Sequence, residues 1–187
     1  MKKIVIITPV KNVERVYQTF GLIAEDKDVQ LEFKGLEQGI EGVATYFDKT
    51  VIAPEILRLA YQAEQNGAAA VIINCFSEPG LQAAKELLSI PVVGIFEAVL
   101  RTITIAQKRF SILLPKFHAN YLKILSDAIK LHDAQDLATP FYQIDLEENE
   151  GKQKAAIAMV IKDAVLTQHA QNIILSSTYL AQYQDYW

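Results

Sequence analysis

The segment "VIINCFSEPG" (residues 71–80) decides the fold. Its β-branched and apolar residues run up to Cys75, the single cysteine of the chain, and Pro79 and Gly80 follow closely. This pattern predicts a buried strand that ends in a turn. Cys75 then has two interpretations. It is either a small buried apolar side chain, which is usual for a free cysteine, or a reactive group at a strand end, where α/β sheets bind their ligands.

The rest of the chain alternates short apolar runs with longer segments of helical periodicity. Besides the strand that ends at Cys75, we predict strands at 3–10, 29–36, 91–98, 109–115, 141–146 and 172–177, and helices at 54–67, 79–89, 100–107, 117–131 and 150–170. Pro54 suits the first turn of its helix. Strands separated by helices indicate βαβ units and a mainly parallel sheet.

A weak internal repeat divides the chain into two similar halves. The segment "KKIVIITPV" (2–10) resembles "KRFSILLPK" (108–116), and aligning their prolines gives an offset of 106 residues (115 − 9). The segment "QNGAAAVIINCF" (65–76) resembles "QHAQNIILSST" (168–178). We therefore predict two α/β halves.

The second alignment pairs Cys75 with Ser177 at an offset of 102 residues (177 − 75). The two offsets differ by only four residues, which supports a division into two similar halves. We place one half at 1–98, carrying Cys75, and the other at 99–187, carrying Ser177. If the halves face each other across a pseudo-twofold axis, these two side chains confront one another over a shared cleft. Two opposed proton carriers are what a racemase or epimerase requires.

Composition excludes several classes of function. The chain has 187 residues, is 51% hydrophobic and carries a net charge of −4, which argues against nucleic-acid binding. One cysteine cannot form an internal disulfide or a zinc site of several thiolates. No apolar run approaches the roughly 20 residues of a membrane span, and the N-terminal segment lacks a cleavage site for a signal peptide. We expect a soluble cytoplasmic protein.

The segment "NCFSEPGLQAAKELLSIPVVGIFEA" (74–98) resembles the hydantoin and allantoin racemases of the aspartate/glutamate/hydantoin racemase superfamily. That group typically shows Cys-Phe-Gly-Asp-Pro after a strand and Pro-Val-Val-Gly-Ile-x-Glu-Ala after the next helix. The resemblance implies two flavodoxin-like parallel-sheet halves with the active site between them. It also implies two catalytic cysteines, one per half, and neither cofactor nor metal.

The family pattern transfers unevenly to this chain. Cys75 matches the first catalytic cysteine, whereas "IILSSTY" (173–179) places Ser177 where the second is expected. By this resemblance the catalytic residues are Cys75 and Ser177, and the substrate-binding residues are Thr8, Asn12, Asn74, Phe76, Ser77 and Thr178. Relatives also continue beyond this region, so we expect a C-terminal half that is shortened.

The leading hypothesis is a cofactor-independent isomerase that moves a proton at a carbon beside a carbonyl of a small amino-acid-like or hydantoin-like substrate. Cys75, with its pKa lowered by the N-terminus of the helix that Pro79 opens, would serve one face of that carbon, and Ser177 or a water it holds would serve the other. Two alternatives stay open: a non-catalytic ligand-binding protein on the racemase scaffold, and a single-cysteine lyase or decarboxylase. We expect a homo-oligomer that binds a small molecule.

Overall fold

The computed structural model describes residues 1–9, 28–37, 42–116, 119–145, 149–177, 180 and 183. The chain divides into two compact units, Met1–Ala98 and Val99–Trp187. The described elements, in chain order, are β1 (Lys2–Thr8), β2 (Val29–Gly35), α1 (Tyr46–Gln65), β3 (Ala70–Ile73), α2 (Leu81–Leu87), β4 (Val92–Gly94), α3 (Ile95–Ala106), β5 (Phe110–Pro115), α4 (Ala119–Leu131), β6 (Tyr142–Ile144), α5 (Glu150–Leu166) and β7 (Asn172–Leu175).

The first unit contains a four-stranded parallel sheet in the order β2-β1-β3-β4. In its register, Ile7 of β1 lies beside Ile73 of β3. The chain leaves β1 toward β2 on one side and returns to β3 on the other, so the crevice beyond the carboxyl ends of β1 and β3 is a topological switch point. Thr8 and Asn74 stand next to each other at that point.

The second unit contains a three-stranded parallel sheet in the order β6-β5-β7. Leu113 of β5 lies beside Leu175 of β7, which is the position that the pair Ile7 and Ile73 holds in the first unit. The offsets between these pairs are 106 (113 − 7) and 102 (175 − 73), the same values that the sequence repeat predicts. The prediction of two similar α/β halves with parallel sheets is therefore confirmed.

The core of the first unit lies between one face of its sheet and α1. The buried residues of α1 recur three or four positions apart, the spacing that puts them on one helix face. They pack with alternate residues of β1 and β3, whose side chains share one face of the sheet. These residues are Ile52, Ile56, Ala60 and Ala63 of α1, and Val5, Ile7, Val71 and Ile73 of the strands. This packing buries one face of the two strands at whose carboxyl ends Thr8 and Asn74 lie.

The prediction that a helix starts at Pro54 is wrong, because α1 begins eight residues earlier. Thr45 is its N-cap: the Thr45 hydroxyl accepts a hydrogen bond from the Asp48 amide at 3.0 Å, and the Asp48 carboxylate accepts one from the Thr45 amide at 2.8 Å. This reciprocal capping box satisfies amides that no helical partner reaches. Pro54 therefore lies inside the helix.

The predicted strand at 91–98 is too long, since β4 ends at Gly94 and α3 begins at Ile95. The residues Ile95–Ala98 are helical although they continue an apolar run that suits a strand. A carboxylate distant in sequence binds the first turn of this helix, as the next subsection describes. No helix within the described ranges is both long and apolar enough to cross a bilayer.

Candidate active site

Thr8 and Asn74 form a buried polar pair at the switch point of the first unit. The Asn74 side-chain amide donates a hydrogen bond to the Thr8 hydroxyl at 3.1 Å, and the Asn74 backbone amide donates one to the Ile7 carbonyl at 2.8 Å. Both side chains are buried. Thr8 and Asn74 follow Ile7 and Ile73, the last paired residues of β1 and β3. Their side-chain hydrogen bond therefore fixes the position of the backbone just before residue 75.

That next residue is Cys75, whose partly buried thiol contacts the hydroxyl of Ser77. The Cys75 sulfur lies 3.1 Å from the Ser77 oxygen, and the Ser77 hydroxyl also donates a hydrogen bond to the Val43 carbonyl at 3.1 Å. Ser77 is only 1% exposed. The thiol is thus held by a side chain that is itself anchored to the segment just before α1.

Burial raises the pKa of the Cys75 thiol above its ordinary value. The Ser77 hydroxyl and the backbone amides of Ser77 and Glu78 act in the opposite direction, because they favour the thiolate, while the charge of Glu78 adds to the rise. The expectation that a helix N-terminus lowers this pKa is therefore wrong. Removal from water outweighs the hydrogen bonds, and the resting sulfur is a protonated thiol.

Glu78 links the cysteine turn to α3. Its carboxylate Oε1 accepts a hydrogen bond from the Glu97 amide, in the first turn of α3, at 2.7 Å. Its backbone has φ of 50°, in the left-handed region that is uncommon for residues other than glycine. A Cβ added at Gly94 would clash with Oε1 of Glu78 and with the Leu81 side chain. The carboxylate can therefore cap α3 because residue 94 is a glycine.

The environment of Glu78 raises the pKa of its carboxyl group to about 7. Burial is the largest cause, and the nearby Glu97 carboxylate adds to it, whereas hydrogen bonds from the amides of Phe96 and Glu97 and the charge of Lys49 oppose it. Glu97 is itself buried and forms an ion pair with Lys85 of α2. Glu78 consequently changes its charge near neutral pH, next to the thiol.

Phe76 packs within the first unit. Its ring stacks on that of Phe96, with 5.0 Å between the ring centroids and 28° between the planes. Phe96 is fully buried in the first turn of α3. The turn after Cys75 is therefore anchored to two segments: Phe76 contacts α3, and Ser77 bonds to the residues just before α1.

The second unit repeats this backbone with different side chains. The Ser176 amide donates to the Leu113 carbonyl at 3.0 Å, as the Asn74 amide donates to Ile7. The Leu180 amide donates to the Ser177 carbonyl at 3.0 Å, as the Glu78 amide donates to Cys75 at the same distance. Ser177 thus holds, relative to β7, the position that Cys75 holds relative to β3.

The counterparts of the polar pair are Leu114 and Ser176. Leu114 is fully buried and apolar, so it offers no hydroxyl where Thr8 does. The Ser176 hydroxyl oxygen is buried and has no hydrogen-bond partner among the residues that the structure describes.

Of the predicted site residues, Thr8, Asn74, Cys75, Phe76 and Ser77 lie together at the end of β1 or in the turn after β3, and Ser177 follows β7 in the second unit. Asn12 and Thr178 lie outside the described residues. Glu78 is the residue that the sequence analysis missed, although the acid of the Cys-Phe-x-acid-Pro pattern pointed to it. Within the described ranges, no group of three or more His, Cys, Asp or Glu side chains is arranged to hold a metal ion.

The family model described as Asp/Glu/Hydantoin racemase matches residues 4–185. A hydantoin racemase from Pseudomonas sp. (strain NS671) is 26% identical over 169 residues, which are 87% of this chain and 66% of that protein. A hydantoin racemase from Rhizobium meliloti is 30% identical over 143 residues, 73% of this chain and 56% of that protein. The chain thus spans between 56% and 66% of the length of these two curated relatives.

Solved structures show the same fold. An allantoin racemase from Klebsiella pneumoniae superposes with a TM-score of 0.82 at 20% identity, covering 100% of this chain and 78% of that one. An allantoin racemase from Pseudomonas fluorescens superposes with a TM-score of 0.83 at 18% identity, covering 98% and 80%.

Proposed function

Because the chain belongs to the Asp/Glu/hydantoin racemase family, we propose that it is a cofactor-independent racemase or epimerase of small hydantoin-like or amino-acid-like molecules. One observation carries the proposal: the thiol of Cys75 stands just beyond the carboxyl end of β3, at the switch point of a parallel sheet, in the motif that the family shares. Relatives at 26% and 30% identity are hydantoin racemases, and they suggest the substrate class.

Cys75 acts as the base on one face of the substrate. Its thiolate removes a proton from the carbon beside the carbonyl, and the electron pair left on carbon moves onto the carbonyl oxygen. A base must be strong to deprotonate a carbon acid, and the raised pKa of Cys75 makes its thiolate a stronger base. The same rise makes the thiol the resting form. A proton must therefore leave the sulfur before the reaction, to water or buffer.

Ser177, or a water that it holds, returns a proton to the opposite face. Its support is the backbone equivalence of the two turns and the resemblance that puts a second cysteine at this position. A serine hydroxyl is a far weaker acid than a thiol, so we expect the return step to be slower than the removal step.

The substrate oxygens bind to polar groups at the strand ends. Thr8 and Asn74 supply the buried polar pair of the first unit, and backbone amides of the turn at 75–77 suit a developing oxyanion. Phe76 would contribute an apolar wall, and Asn12 and Thr178 remain predicted binding residues. Ser77, already bonded on two sides, contributes through the sulfur, as argued in the next subsection.

The test is exchange of the substrate's carbon-bound hydrogen in deuterated water. A panel of 5-substituted hydantoins, allantoin and amino acids of single handedness is incubated with the wild-type protein and with Cys75→Ala. We expect exchange with at least one hydantoin, loss of handedness at a similar or slower rate, and neither with Cys75→Ala. If no panel member exchanges, the racemase assignment fails for that panel. Exchange without inversion would instead favour a one-sided, lyase-like reaction.

Two broader expectations also remain proposals. We propose that the protein assembles as a homo-oligomer, which light scattering coupled to size-exclusion chromatography tests: a single peak at the 20.9 kDa of one chain contradicts it. We propose that it acts in the cytoplasm, consistent with a lone cysteine that forms no internal disulfide. Cell fractionation tests this.

A further inference from the structure

We propose that the hydroxyl of Ser77 is a hydrogen-bond switch that follows the charge of the Cys75 sulfur. The inference deepens the proposed function, on which its role in the reaction rests. Its starting point is that one hydroxyl lies between two acceptors, with the Cys75 sulfur 3.1 Å away and the Val43 carbonyl oxygen 3.1 Å away. A serine hydroxyl carries one proton, so it can donate to only one of them at a time.

The protonated sulfur fits one arrangement of these three groups. The Cys75 thiol donates its proton to the Ser77 oxygen, and the Ser77 hydroxyl donates its own to the Val43 carbonyl. Each donor then has an acceptor, and the chain of bonds runs in one direction from sulfur to backbone.

The thiolate requires the reverse arrangement. It has no proton to give, and a Ser77 hydroxyl still turned toward Val43 would present oxygen lone pairs to a negative sulfur. Rotation about the Ser77 Cβ–Oγ bond turns the hydroxyl onto the sulfur. A hydrogen bond to a charged acceptor is roughly twice as strong as a neutral one. The bond to the Val43 carbonyl is then lost.

Burial makes this exchange consequential. Ser77 is 1% exposed and Val43 is also buried, so bulk water has little access to replace the lost bond. The Val43 carbonyl belongs to the segment that leads into the Thr45 cap of α1. The charge of the sulfur is therefore coupled to the backbone at the entrance of that helix.

Other charges around the turn act on the sulfur but cannot replace the hydroxyl. Glu78 is the carboxylate whose charge opposes the thiolate. Behind it, Glu97 pairs with Lys85, and Lys49 acts on Glu78 from α1. Each of these changes the energy of the thiolate through its charge, whereas Ser77 donates a hydrogen bond to the sulfur itself.

In the proposed reaction the switch moves once in each direction. When the thiolate takes a proton from the substrate carbon, an S–H bond forms, the C–H electron pair passes to the carbonyl oxygen, and Ser77 turns back to Val43. When the thiol then releases this proton to water or buffer, which restores the thiolate for the next turnover, Ser77 returns to the sulfur. The switch transfers no proton, so Ser77 is a positioning residue.

The experiment titrates the thiol directly. Since Cys75 is the only cysteine, the pH dependence of iodoacetamide alkylation, followed by mass spectrometry of the peptide that contains Cys75, reports this sulfur alone. We compare the wild type with Ser77→Ala, Ser77→Gly and Ser77→Thr. The control is Ser111→Ala, which removes an equally buried serine hydroxyl bonded to Thr139 and to the Pro140 carbonyl.

We expect the thiol pKa to rise by about one unit in Ser77→Ala and Ser77→Gly, and to return toward wild type in Ser77→Thr, which keeps a hydroxyl. The glycine variant is a second hydroxyl-free variant, so the test does not depend on the alanine variant alone. Wherever the protein turns over a substrate, the acidic limb of the kcat/KM profile should move by the same amount.

A thiol pKa in both hydroxyl-free variants equal to that of Ser111→Ala overturns the switch. The outcome is separable from that of the proposed function. A shifted thiol pKa without exchange on any substrate keeps the switch and rejects the racemase. Exchange with an unshifted pKa does the opposite.

Discussion

The two units share a backbone plan but not its side chains. In both, a central strand and its neighbour end in register, and the residue two positions beyond the neighbouring strand is Cys75 in one unit and Ser177 in the other. The first unit puts Thr8 and Asn74 at the strand ends, and the second puts Leu114 and Ser176 there. The repeat therefore preserves the geometry of a site more faithfully than its chemistry.

A further difference between the units lies three residues after Cys75 and Ser177. Glu78 and Leu180 make the same backbone hydrogen bond, to Cys75 and to Ser177 respectively. Glu78 projects a carboxylate onto α3, whereas Leu180 is buried in an apolar cluster with Leu113, Ile144 and Ile157. At this position the first unit carries a titratable carboxyl group, and the second carries a buried apolar side chain. The comparison teaches that equal backbone positions in the two units carry different chemistry, with a thiol and a titratable carboxyl group in the first and a hydroxyl and an apolar side chain in the second.

Exchanging the reactive side chains tests this asymmetry most strongly. Cys75→Ser gives the first unit the residue of the second, and we expect isotope exchange to fall by about 10²–10⁴-fold, the usual contribution of a positioned acid or base. Ser177→Ala should reduce inversion by a smaller factor. Both are measured by solvent-deuterium exchange and polarimetry. A loss of isotope exchange in Cys75→Ser that equals the loss of inversion in Ser177→Ala would show that the two side chains contribute alike.

The pH dependence of stability tests the polar turn. Because the pKa of Glu78 is raised from 4.5 to about 7, the folded state binds more protons than the unfolded state between these values. The free energy of unfolding therefore falls as pH rises through this window, by about 3 kcal/mol from this group, and levels off above it. Urea unfolding from pH 4 to 8 measures the effect.

The matched variant for this measurement is Glu78→Gln, which keeps a side-chain oxygen able to accept from the Glu97 amide but cannot ionise. Its free energy of unfolding should lose most of that slope. A slope that persists unchanged in Glu78→Gln assigns the titration to another group, and the polar turn then gives no pH sensitivity of its own.

Restoring the missing thiol sharpens the comparison. Ser177→Cys supplies the second unit with an acid near its working range, and we expect inversion to rise about tenfold while isotope exchange by Cys75 changes little. Ser176→Cys, one residue earlier, is the control for adding a second thiol, and should not raise inversion. If both variants behave alike, the equivalence of Ser177 with the family cysteine is not functional.

The smallest expected effects concern the buried polar pair of the first unit and Ser176, its counterpart in the second, and they differ in sign. Asn74→Ala breaks a buried hydrogen bond and leaves the Thr8 hydroxyl without it, so the free energy of unfolding should fall by about 1–2 kcal/mol. Ser176→Ala removes a buried hydroxyl that has no partner among the described residues, so stability should rise by about 1 kcal/mol. Urea midpoints report both. Destabilisation by both changes would mean that Ser176 has a partner.

Sequence reasoning recovers most of the architecture because buried parallel strands and their spacing are local patterns. The offsets of 106 and 102 residues in the sequence repeat equal the offsets between the paired strand residues of the two units. They agree because the segments that resemble each other in sequence are the paired strands themselves. The sequence carries the signal for the true start of α1, which is Thr45 followed three residues later by Asp48. Pro54 is a more prominent signal for a helix start, but it lies inside the helix.

What sequence alone could not supply comes from contacts distant along the chain. The residues Ile95–Ala98 suit a strand by composition, and the carboxylate of Glu78, 19 residues from the amide it binds, caps the helix that they begin. The helix predicted after Cys75 favours a lowered pKa for this thiol, and the structure gives a raised one. It rises because burial, which depends on the whole packed unit, outweighs the local hydrogen bonds.

The close approach of Glu78 to Gly94 has an evolutionary consequence. Any side chain at residue 94 would occupy the space that the Glu78 carboxylate and the Leu81 side chain now fill, so residue 94 must stay a glycine wherever these two side chains are kept. The acid after the cysteine and the glycine sixteen residues later should therefore be inherited as a pair in homologous chains. Two motifs that look separate along the sequence are then a single unit of selection.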